Sequence, residues 1–170
     1  MAIRVLPLDA TIRAALPSDE DFLVALSARV FRPYSDHPAR AMRRLLRSQT
    51  GEVFVAVHGE THLGFVVVHI EALGRDFGPL ARPSVAHLDA IAVRPNLSSH
   101  GLGRRLLAYG EAFARANGAV SMSLLTAETN TDAQRMFLAA GYQMLAPIDG
   151  VYTGGQRAYS MFKPLSSVTL

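Results

Sequence analysis

Short apolar runs and runs with helical spacing alternate along this chain, and their order predicts its secondary structure. Proline and glycine separate the runs: Pro17 precedes the first helical run, Pro33 follows it, and Gly141 ends the last one. The predicted strands cover residues 11–15, 52–57, 63–70, 84–93, 120–126, 142–146 and 157–162, and the predicted helices cover about residues 19–31, 38–47, 101–116 and 131–140.

A short lead at residues 1–10 and a loop at residues 72–83 are the main segments without such a pattern. We find no internal repeat and no low-complexity linker. A chain of 170 residues suffices for one domain with a sizeable core. We therefore expect a single domain over residues 1–170.

The composition is that of a globular, rather apolar protein, with 49% hydrophobic and 18% charged residues. The longest apolar runs, such as residues 65–68, are far below the roughly 18 residues that a membrane span needs. The absence of cysteine excludes disulfides, thiolate metal sites and a cysteine nucleophile. The start of the chain lacks a secretory signal, so we expect a cytoplasmic location.

The net charge is +3, and every basic residue except Lys163 is an arginine. This mild excess suits an anionic ligand, but the basic and aromatic interleaving of nucleic-acid binding is not visible. The densest basic group is Arg40, Arg43, Arg44 and Arg47, at helical i, i+3, i+4, i+7 spacing. Two interpretations stay open: a solvated helix face, or a rim that attracts an acidic substrate.

Residues 88–107 contain the most informative motif of the chain. A predicted buried strand is followed there by a loop that contains Gly101 and Gly103, and then by a predicted helix. Unpaired N–H groups and the positive dipole end at a helix start bind phosphate, and glycines let a backbone approach a ligand closely. A P-loop would need Gly-Lys-Ser/Thr, and a dinucleotide fingerprint would need a third glycine in place of Leu106. Neither motif fits.

The loop instead resembles the cofactor loop of GCN5-related N-acetyltransferases (the GNAT family), roughly V-x-P-x-x-(Arg/Gln)-G-x-G-x-(Gly/Ala). Residues 93–103, VRPNLSSHGLG, keep this spacing, with Ser98 in place of Arg/Gln and Ser99 in place of the first glycine. Residues 130–142 resemble a second family segment, N-x-x-A-x-x-x-Tyr…Gly-Phe, with Phe137 in place of its tyrosine. The resemblance covers about residues 11–163.

This resemblance implies an α/β (α+β) fold, namely a single domain with a mixed central sheet flanked by about four helices. It implies acetyl-CoA as the co-substrate, no metal, and direct transfer of acetyl to a primary amine of a small molecule or peptide. It leaves a homodimer open, and we expect neither a nucleic-acid nor a membrane partner. His58 and His62 lie across a predicted turn, so their spacing does not imply a shared face for a metal.

By this resemblance the strand around Val93 presents its backbone to the pantetheine arm, with the Val93 N–H as the donor to the thioester carbonyl. The loop amides would hold the pyrophosphate, with the hydroxyls of Ser98 and Ser99 as further donors. The full set of predicted cofactor-binding residues is Ile91, Ala92, Val93, Ser98, Ser99, His100, Gly101, Leu102, Gly103, Arg104, Asn130, Ala133 and Phe137.

Strand alternation predicts that Val85, His87, Asp89, Ile91 and Val93 share one face. His87 stands where some family members carry a catalytic glutamate, and a histidine titrates near neutrality, so it is the predicted general base. Asp89 is predicted to assist it or to bind the positive charge of the substrate. The alternative is a hydrogen-bonded structural histidine and a solvated aspartate.

Phe137 cannot donate the proton that the departing thiolate needs. Three interpretations stay open: another hydroxyl donates the proton, water donates it, or the enzyme is impaired. Tyr152 and Tyr159 lie near the strands that border the substrate cleft in the family. Tyr152 is the predicted catalytic acid, and a packed amphipathic side chain is the alternative for each tyrosine. Glu128 could approach the substrate or face solvent. Because Phe137, Ser98 and Ser99 depart from the family pattern, a non-catalytic acetyl-CoA binding or sensor domain remains the alternative function.

Overall fold

The computed structural model describes residues 9–76 and 78–165, so most of the lead predicted at residues 1–10 lies outside the described part. The single domain over residues 1–170 likewise stays a prediction. The helices are α1 (Glu20–Val30), α2 (Pro38–Ser48), α3 (Leu102–Ala116) and α4 (Thr131–Ala139). The strands are β1 (Thr11–Ala14), β2 (Gly51–His58), β3 (Thr61–Ala72), β4 (Ser84–Val93), β5 (Ala119–Ala127), β6 (Gln143–Ile148) and β7 (Ala158–Pro164).

All seven strands form one sheet in the order β1-β2-β3-β4-β5-β7-β6. β4 and β5 are parallel, joined by a crossover through α3, and every other neighbouring pair is antiparallel. The predicted order of elements and the mixed sheet with four helices are confirmed. β3 is longer than predicted because its ladder with β4 continues to the pair Ala72↔Ser84.

Two hydrophobic cores lie on opposite faces of the sheet, and β3 alternates between them. Leu23 of α1 and Met42 of α2 pack with Phe65 on one face. Leu106 of α3 packs with Val66 on the other, which α4 also covers. No helix within the described ranges is long and apolar enough to cross a membrane.

A β-bulge interrupts β4 at Asp89. Val67 of β3 pairs with Ala90, and the next β3 residue, Val68, pairs with Leu88. Asp89 is therefore an extra residue without a partner in the ladder, and the residues that follow it turn over relative to those before it.

The predicted shared face from Val85 to Val93 is wrong for this reason. Ile91 and Val93 pack together with Leu88 in the core below α3 and α4. His87 points to the other face, as the neighbour of Leu88 in the strand. Asp89 points there too, since it lines a cavity with residues of α2.

Asp19 is a buried carboxylate that ties the start of α1 to β1 and β3. Arg13 donates two hydrogen bonds to it, at 2.7 and 3.1 Å, and the Leu16 N–H donates a third at 2.7 Å. His62 contacts it at 2.6 Å and stacks on Phe22 at a centroid distance of 4.7 Å. These hydrogen bonds, the one from Arg13 foremost, hold the pKa of Asp19 well below its usual range.

Replacing this carboxylate should destabilise the fold in a pH-dependent manner. We expect Asp19→Asn to lower the free energy of unfolding by about 2 kcal/mol near neutral pH, since Arg13 and His62 lose a buried partner. A lowered folded-state pKa means that the stabilisation is present above about pH 4 and is lost as the pH falls. The free energies of unfolding of wild type and variant, measured by urea denaturation, should thus approach each other progressively as the pH falls below about 5.

The exposed Asp21, in the first turn of α1, provides the matched control as Asp21→Asn. It should change stability by less than about 0.5 kcal/mol. A difference between wild type and Asp19→Asn that stays constant with pH would contradict the role of the ionised carboxylate.

Candidate active site

β4 and β5 separate partway along their length. Their parallel pairing ends, within the described residues, at Leu88↔Leu124, although β4 continues to Val93 and β5 to Ala127. The gap between the two strands opens a cavity that reaches both faces of the sheet. The residues that line it from the strands, from α4 and from the cap of α4 are Leu88, Asp89, Ala90, Ile91, Leu125, Thr126, Ala127, Asn130, Ala133 and Phe137.

The backbone of β4 is oriented so that every second residue offers its polar groups to this gap. The Arg94 N–H donates to the Leu63 carbonyl of β3 at 2.9 Å. Since successive residues of an antiparallel strand direct their N–H and C=O groups to opposite sides, those of Val93 and Ile91 point away from β3. Ala92, between them, directs its backbone to β3. Val93 and Ile91 therefore offer an N–H and a C=O each to the space that β5 leaves.

The glycine loop brings the start of α3 next to the end of β4. Gly101 is the N-cap residue, with φ +79°, and no described side chain caps the first turn. A Cβ at Gly101 would meet nothing within 4 Å, so the loop borders open space there. The amides of Leu102, Gly103 and Arg104 are thus open to an anion.

The absence of a side chain at Gly103 serves a different purpose, since it permits close packing of α3 against α4. A Cβ there would lie 3.0 Å from Met136 Sδ of α4 and 3.9 Å from Val93 Cγ2. Of the two loop glycines, only Gly101 therefore provides the open approach that the sequence analysis expected of both.

Ser98, Ser99 and His100 have distinct local roles. The Ser98 hydroxyl donates its proton to the Pro95 carbonyl at 2.7 Å, so it does not serve as the predicted donor to pyrophosphate. Ser99 adopts φ +71°, a left-handed conformation that favours glycine. His100 donates from Nδ1 to the Ser98 carbonyl at 2.9 Å.

The far wall of the cleft is formed by α4. Asn130 caps this helix, as predicted, and its Oδ1 accepts the Ala133 N–H at 3.3 Å. Phe137 is buried, and its ring meets the Tyr142 ring edge-on at a centroid distance of 5.7 Å. Phe137 thus packs the wall, and its side chain has no proton to donate.

Asp89 forms a close pair with His69, a residue that the sequence analysis did not single out. The carboxylate lies 2.6 Å from His69 Nδ1. A carboxylate only accepts, so Nδ1 carries the hydrogen and Nε2 keeps a lone pair. No hydrogen-bond partner of this Nε2 is found among the described residues. His69 is therefore equipped to accept a proton, with Asp89 holding the ring and its tautomer.

His87, the predicted general base, stacks on His69 at a centroid distance of 4.7 Å and an interplanar angle of 26°. Its Nε2 lies 3.3 Å from Glu71 Oε2 and its Nδ1 lies 2.6 Å from Ser123 Oγ. Because Glu71 only accepts, His87 donates from Nε2 and accepts the Ser123 hydroxyl proton at Nδ1. Both ring nitrogens of His87 are thus engaged, which leaves His69 as the better-placed base.

Tyr152 lies where the cleft meets a second cavity, which holds His69, His87 and Asp89. Its ring lies 6.2 Å from the ring of Tyr34, in the turn between α1 and α2. Burial, and then the neighbouring Tyr34, raises the pKa of Tyr152 above its ordinary value. The phenol is therefore protonated at neutral pH and can donate.

Glu128 holds the end of β5 to the start of β7. Its carboxylate accepts the Arg157 backbone N–H and the Arg157 Nε–H, both at 3.0 Å. These hydrogen bonds lower the pKa of Glu128. A structural role accounts for this residue. Among residues 9–76 and 78–165, no group of three or more His, Asp or Glu residues is arranged to hold a metal ion.

Sequence reasoning missed His69 and Tyr34 for identifiable reasons. His69 interrupts the apolar run Phe65–Ile70 of a predicted strand, and that polar position was the available signal. Its partner Asp89 reaches it only through the bulge, which depends on the pairing of β3 with β4. Tyr34 lies in a turn without periodicity and meets Tyr152 across a long separation in the chain.

Comparisons with known proteins agree with this architecture. The family model described as "Acetyltransferase (GNAT) family" matches residues 20–142. A mycothiol acetyltransferase from Thermobispora bispora is 31% identical over 132 residues, which cover 73% of this chain and 43% of that protein. The chain thus spans less than half the length of this relative.

Solved structures share the fold at low sequence identity. NAA60 from Arabidopsis thaliana, in complex with acetyl-CoA, superposes with a TM-score of 0.78 at 15% identity and covers 91% of this chain and 98% of its own. The ribosomal-protein-S18-alanine N-acetyltransferase from Escherichia coli gives 0.70 at 19% identity, with 95% and 98% covered. With the family match over residues 20–142, the chain belongs to the GNAT family of acetyltransferases.

The strain at Ser99 leads to a test of the loop. Ser99→Gly should raise the free energy of unfolding by about 0.5 kcal/mol, because relief of roughly 1–2 kcal/mol of left-handed strain exceeds the added entropy of the unfolded chain. Ser98→Gly, at an ordinary φ of −59°, is the matched control and should lower stability, since it removes the hydrogen bond to Pro95. Equal destabilisation by both changes, measured by chemical denaturation, would contradict strain at Ser99.

Proposed function

We propose that this protein is an acetyl-CoA-dependent N-acetyltransferase that transfers acetyl directly to a primary amine. The observation that carries the proposal is the junction at Asp89 and Tyr152, which line both the cleft between the separated strands and the cavity that holds His69. The proposed base, His69, and the proposed acid, Tyr152, line the same cavity at this junction. A domain that only binds a ligand has no need of this pairing, so the geometry favours an enzyme over a sensor.

The residues of the cleft fit acetyl-CoA, which supplies an activated acetyl thioester. The uncapped amides at the start of α3 suit the pyrophosphate. The polar backbone groups of Ile91 and Val93, which β5 leaves unpaired, suit the amides of the pantetheine arm. Asn130 and Ala133 form the opposite wall. The fold neighbour NAA60 was solved in complex with acetyl-CoA, which supports this assignment.

The reaction needs a neutral amine, a polarised carbonyl and a protonated leaving group. His69 Nε2 accepts a proton from the ammonium form of the acceptor, and Asp89 stabilises the imidazolium through Nδ1. The amine nitrogen then forms a bond to the acetyl carbon as the carbon–sulfur bond breaks. The Val93 N–H stabilises the charge on the carbonyl oxygen, and the Tyr152 hydroxyl donates a proton to the leaving sulfur. The nitrogen loses its second proton as the intermediate collapses, and this proton restores the Tyr152 hydroxyl, so the products are the amide, the free thiol and the proton held on His69.

We include both small-molecule amines and peptide amines in the proposed class of acceptors. The relative from Thermobispora bispora is a mycothiol acetyltransferase, whereas the fold neighbour from Escherichia coli is an N-acetyltransferase of an alanine of a ribosomal protein. Neither name by itself assigns an acceptor to this chain.

Calorimetric titration of acetyl-CoA into the protein, followed by an amine screen, tests the proposal. We expect Gly101→Glu to weaken binding about 100-fold, or about 2.7 kcal/mol, since it adds a negative charge at the start of α3. Gly59→Glu is the matched control. Gly59 lies in the turn after β2, and it also has a positive φ and open space around the position of a Cβ. Equal weakening by both changes, or absence of acetyl transfer to every amine, would overturn the proposal.

Tyr152→Phe tests the proposed acid, and Tyr34→Phe, at the neighbouring tyrosine, is the matched control. Because the pKa of Tyr152 is raised, the wild-type enzyme should keep its acid through pH 10 and lose kcat only above it. The variant should lose about 100-fold in kcat, the scale of general acid catalysis, and show no such alkaline fall. An unchanged alkaline profile in Tyr152→Phe would assign the proton to another group.

His69→Ala and His87→Ala decide between the two stacked histidines. We expect His69→Ala to lower kcat about 100-fold, whereas His87→Ala should lower it less, because His87 only supports the ring of His69. The reverse order, at pH 7 with saturating acceptor, would return the role of general base to His87.

A further inference from the structure

The acceptor side of the cleft continues into a groove along α2. Asp89 and Thr153 line this groove together with Arg40 and Arg44. The groove thus connects the carboxylate beside the proposed base with the cationic face of a helix. An acceptor that reacts at Asp89 and extends in this direction must meet those arginines.

Within the described part of the chain, the arginine side chains on this face have no carboxylate partner of their own. Arg40, Arg43, Arg44 and Arg47 are all exposed and together line a cavity. Ion pairs within 4.0 Å that the described residues form involve other cations, such as Arg13 with Asp19 and Arg157 with Glu128.

Among the described residues, the carboxylates that line the groove are Asp36 and Asp89, and Asp89 is already paired with His69. The helix itself is held in place by its opposite side, where Met42 is buried in the core. The cationic face is therefore fixed and unpaired, which makes it a binding surface for anions.

The groove wall opposite α2 is also fixed. The Asp36 N–H donates to Thr153 Oγ1 at 3.0 Å, and Gln156 Nε2 donates to the Pro33 carbonyl at 2.7 Å. These two bonds join the segment between β6 and β7 to the turn between α1 and α2. The path from the reacting centre to the arginines is thus bounded on both sides.

We infer that the acceptor is an acidic peptide, with its reacting amine at His69 Nε2, beside Asp89, and following carboxylates on the arginine face of α2. From Arg40 to Arg47 the helix rises about 10 Å. An extended peptide covers that length in about three residues, at roughly 3.3–3.6 Å each. A row of guanidinium groups over this length matches several successive carboxylates better than the single anionic group of a small metabolite.

This inference rests on the proposed function, so its test measures binding as well as transfer. The probes are the peptides Ser-Asp-Glu-Asp-Gly and Ser-Asn-Gln-Asn-Gly, amidated and labelled at the C-terminus, which differ only in charge. We expect the acidic peptide to bind about 10-fold more tightly, by fluorescence anisotropy with CoA present, from two or three exposed ion pairs. The preference should shrink at 0.5 M salt. The ratio of the kcat/KM values for acetyl transfer to the two peptides should show the same preference for the acidic peptide.

Arg44→Gln should reduce the preference to less than about threefold. Arg135→Gln, which removes the same charge from an exposed residue of α4, should leave it unchanged. Equal binding of the two peptides, or equal effects of the two variants, overturns the inference even if acetyl transfer occurs. An oligouridylate that displaces the acidic peptide at a lower concentration would overturn it in favour of nucleic acid. An Arg44-dependent preference without transfer would uphold the groove and refute the proposed function.

Discussion

The separation of β4 from β5 beyond Leu88 and Leu124 is the constraint on which the rest of the site depends. A parallel pair normally satisfies the backbone groups of both strands, and a buried polar group without a partner is costly. Here β4 keeps β3 on one side and loses β5 on the other. Its end thus becomes an edge inside the sheet, next to the uncapped amides of α3. Both offer hydrogen bonds to a ligand in place of a strand.

The bulge at Asp89 adds chemistry to this geometry. Without the extra residue, alternation would place Asp89 and Ile91 on the same face. With it, Ile91 stays in the core below α3 and α4, while Asp89 reaches His69 on the face of α2. The co-substrate cleft and the proton-accepting pair thus lie on opposite faces, and the gap between the strands connects them. Bulges next to active sites commonly redirect a side chain in this way.

The proposed acidic acceptor would use the charges that line the groove along α2. The carboxylate of Asp89 and exposed guanidinium groups of α2 line this same groove. The departures from the family motif affect separate parts of the site. Ser99 accepts backbone strain to keep the loop shape, and Phe137 keeps the packing of the wall while Tyr152 provides a hydroxyl.

Local patterns in the sequence were enough to predict the helices, the strands, the glycine loop before α3 and the cap at Asn130, because periodicity and capping depend on neighbours in the chain. They misassigned the faces of β4, since a bulge arises only when one strand pairs with another. They also missed His69, whose role depends on a carboxylate 20 residues away. The tertiary structure alone decided which strand ends separate and which side chains meet, because those contacts join segments that no local pattern connects.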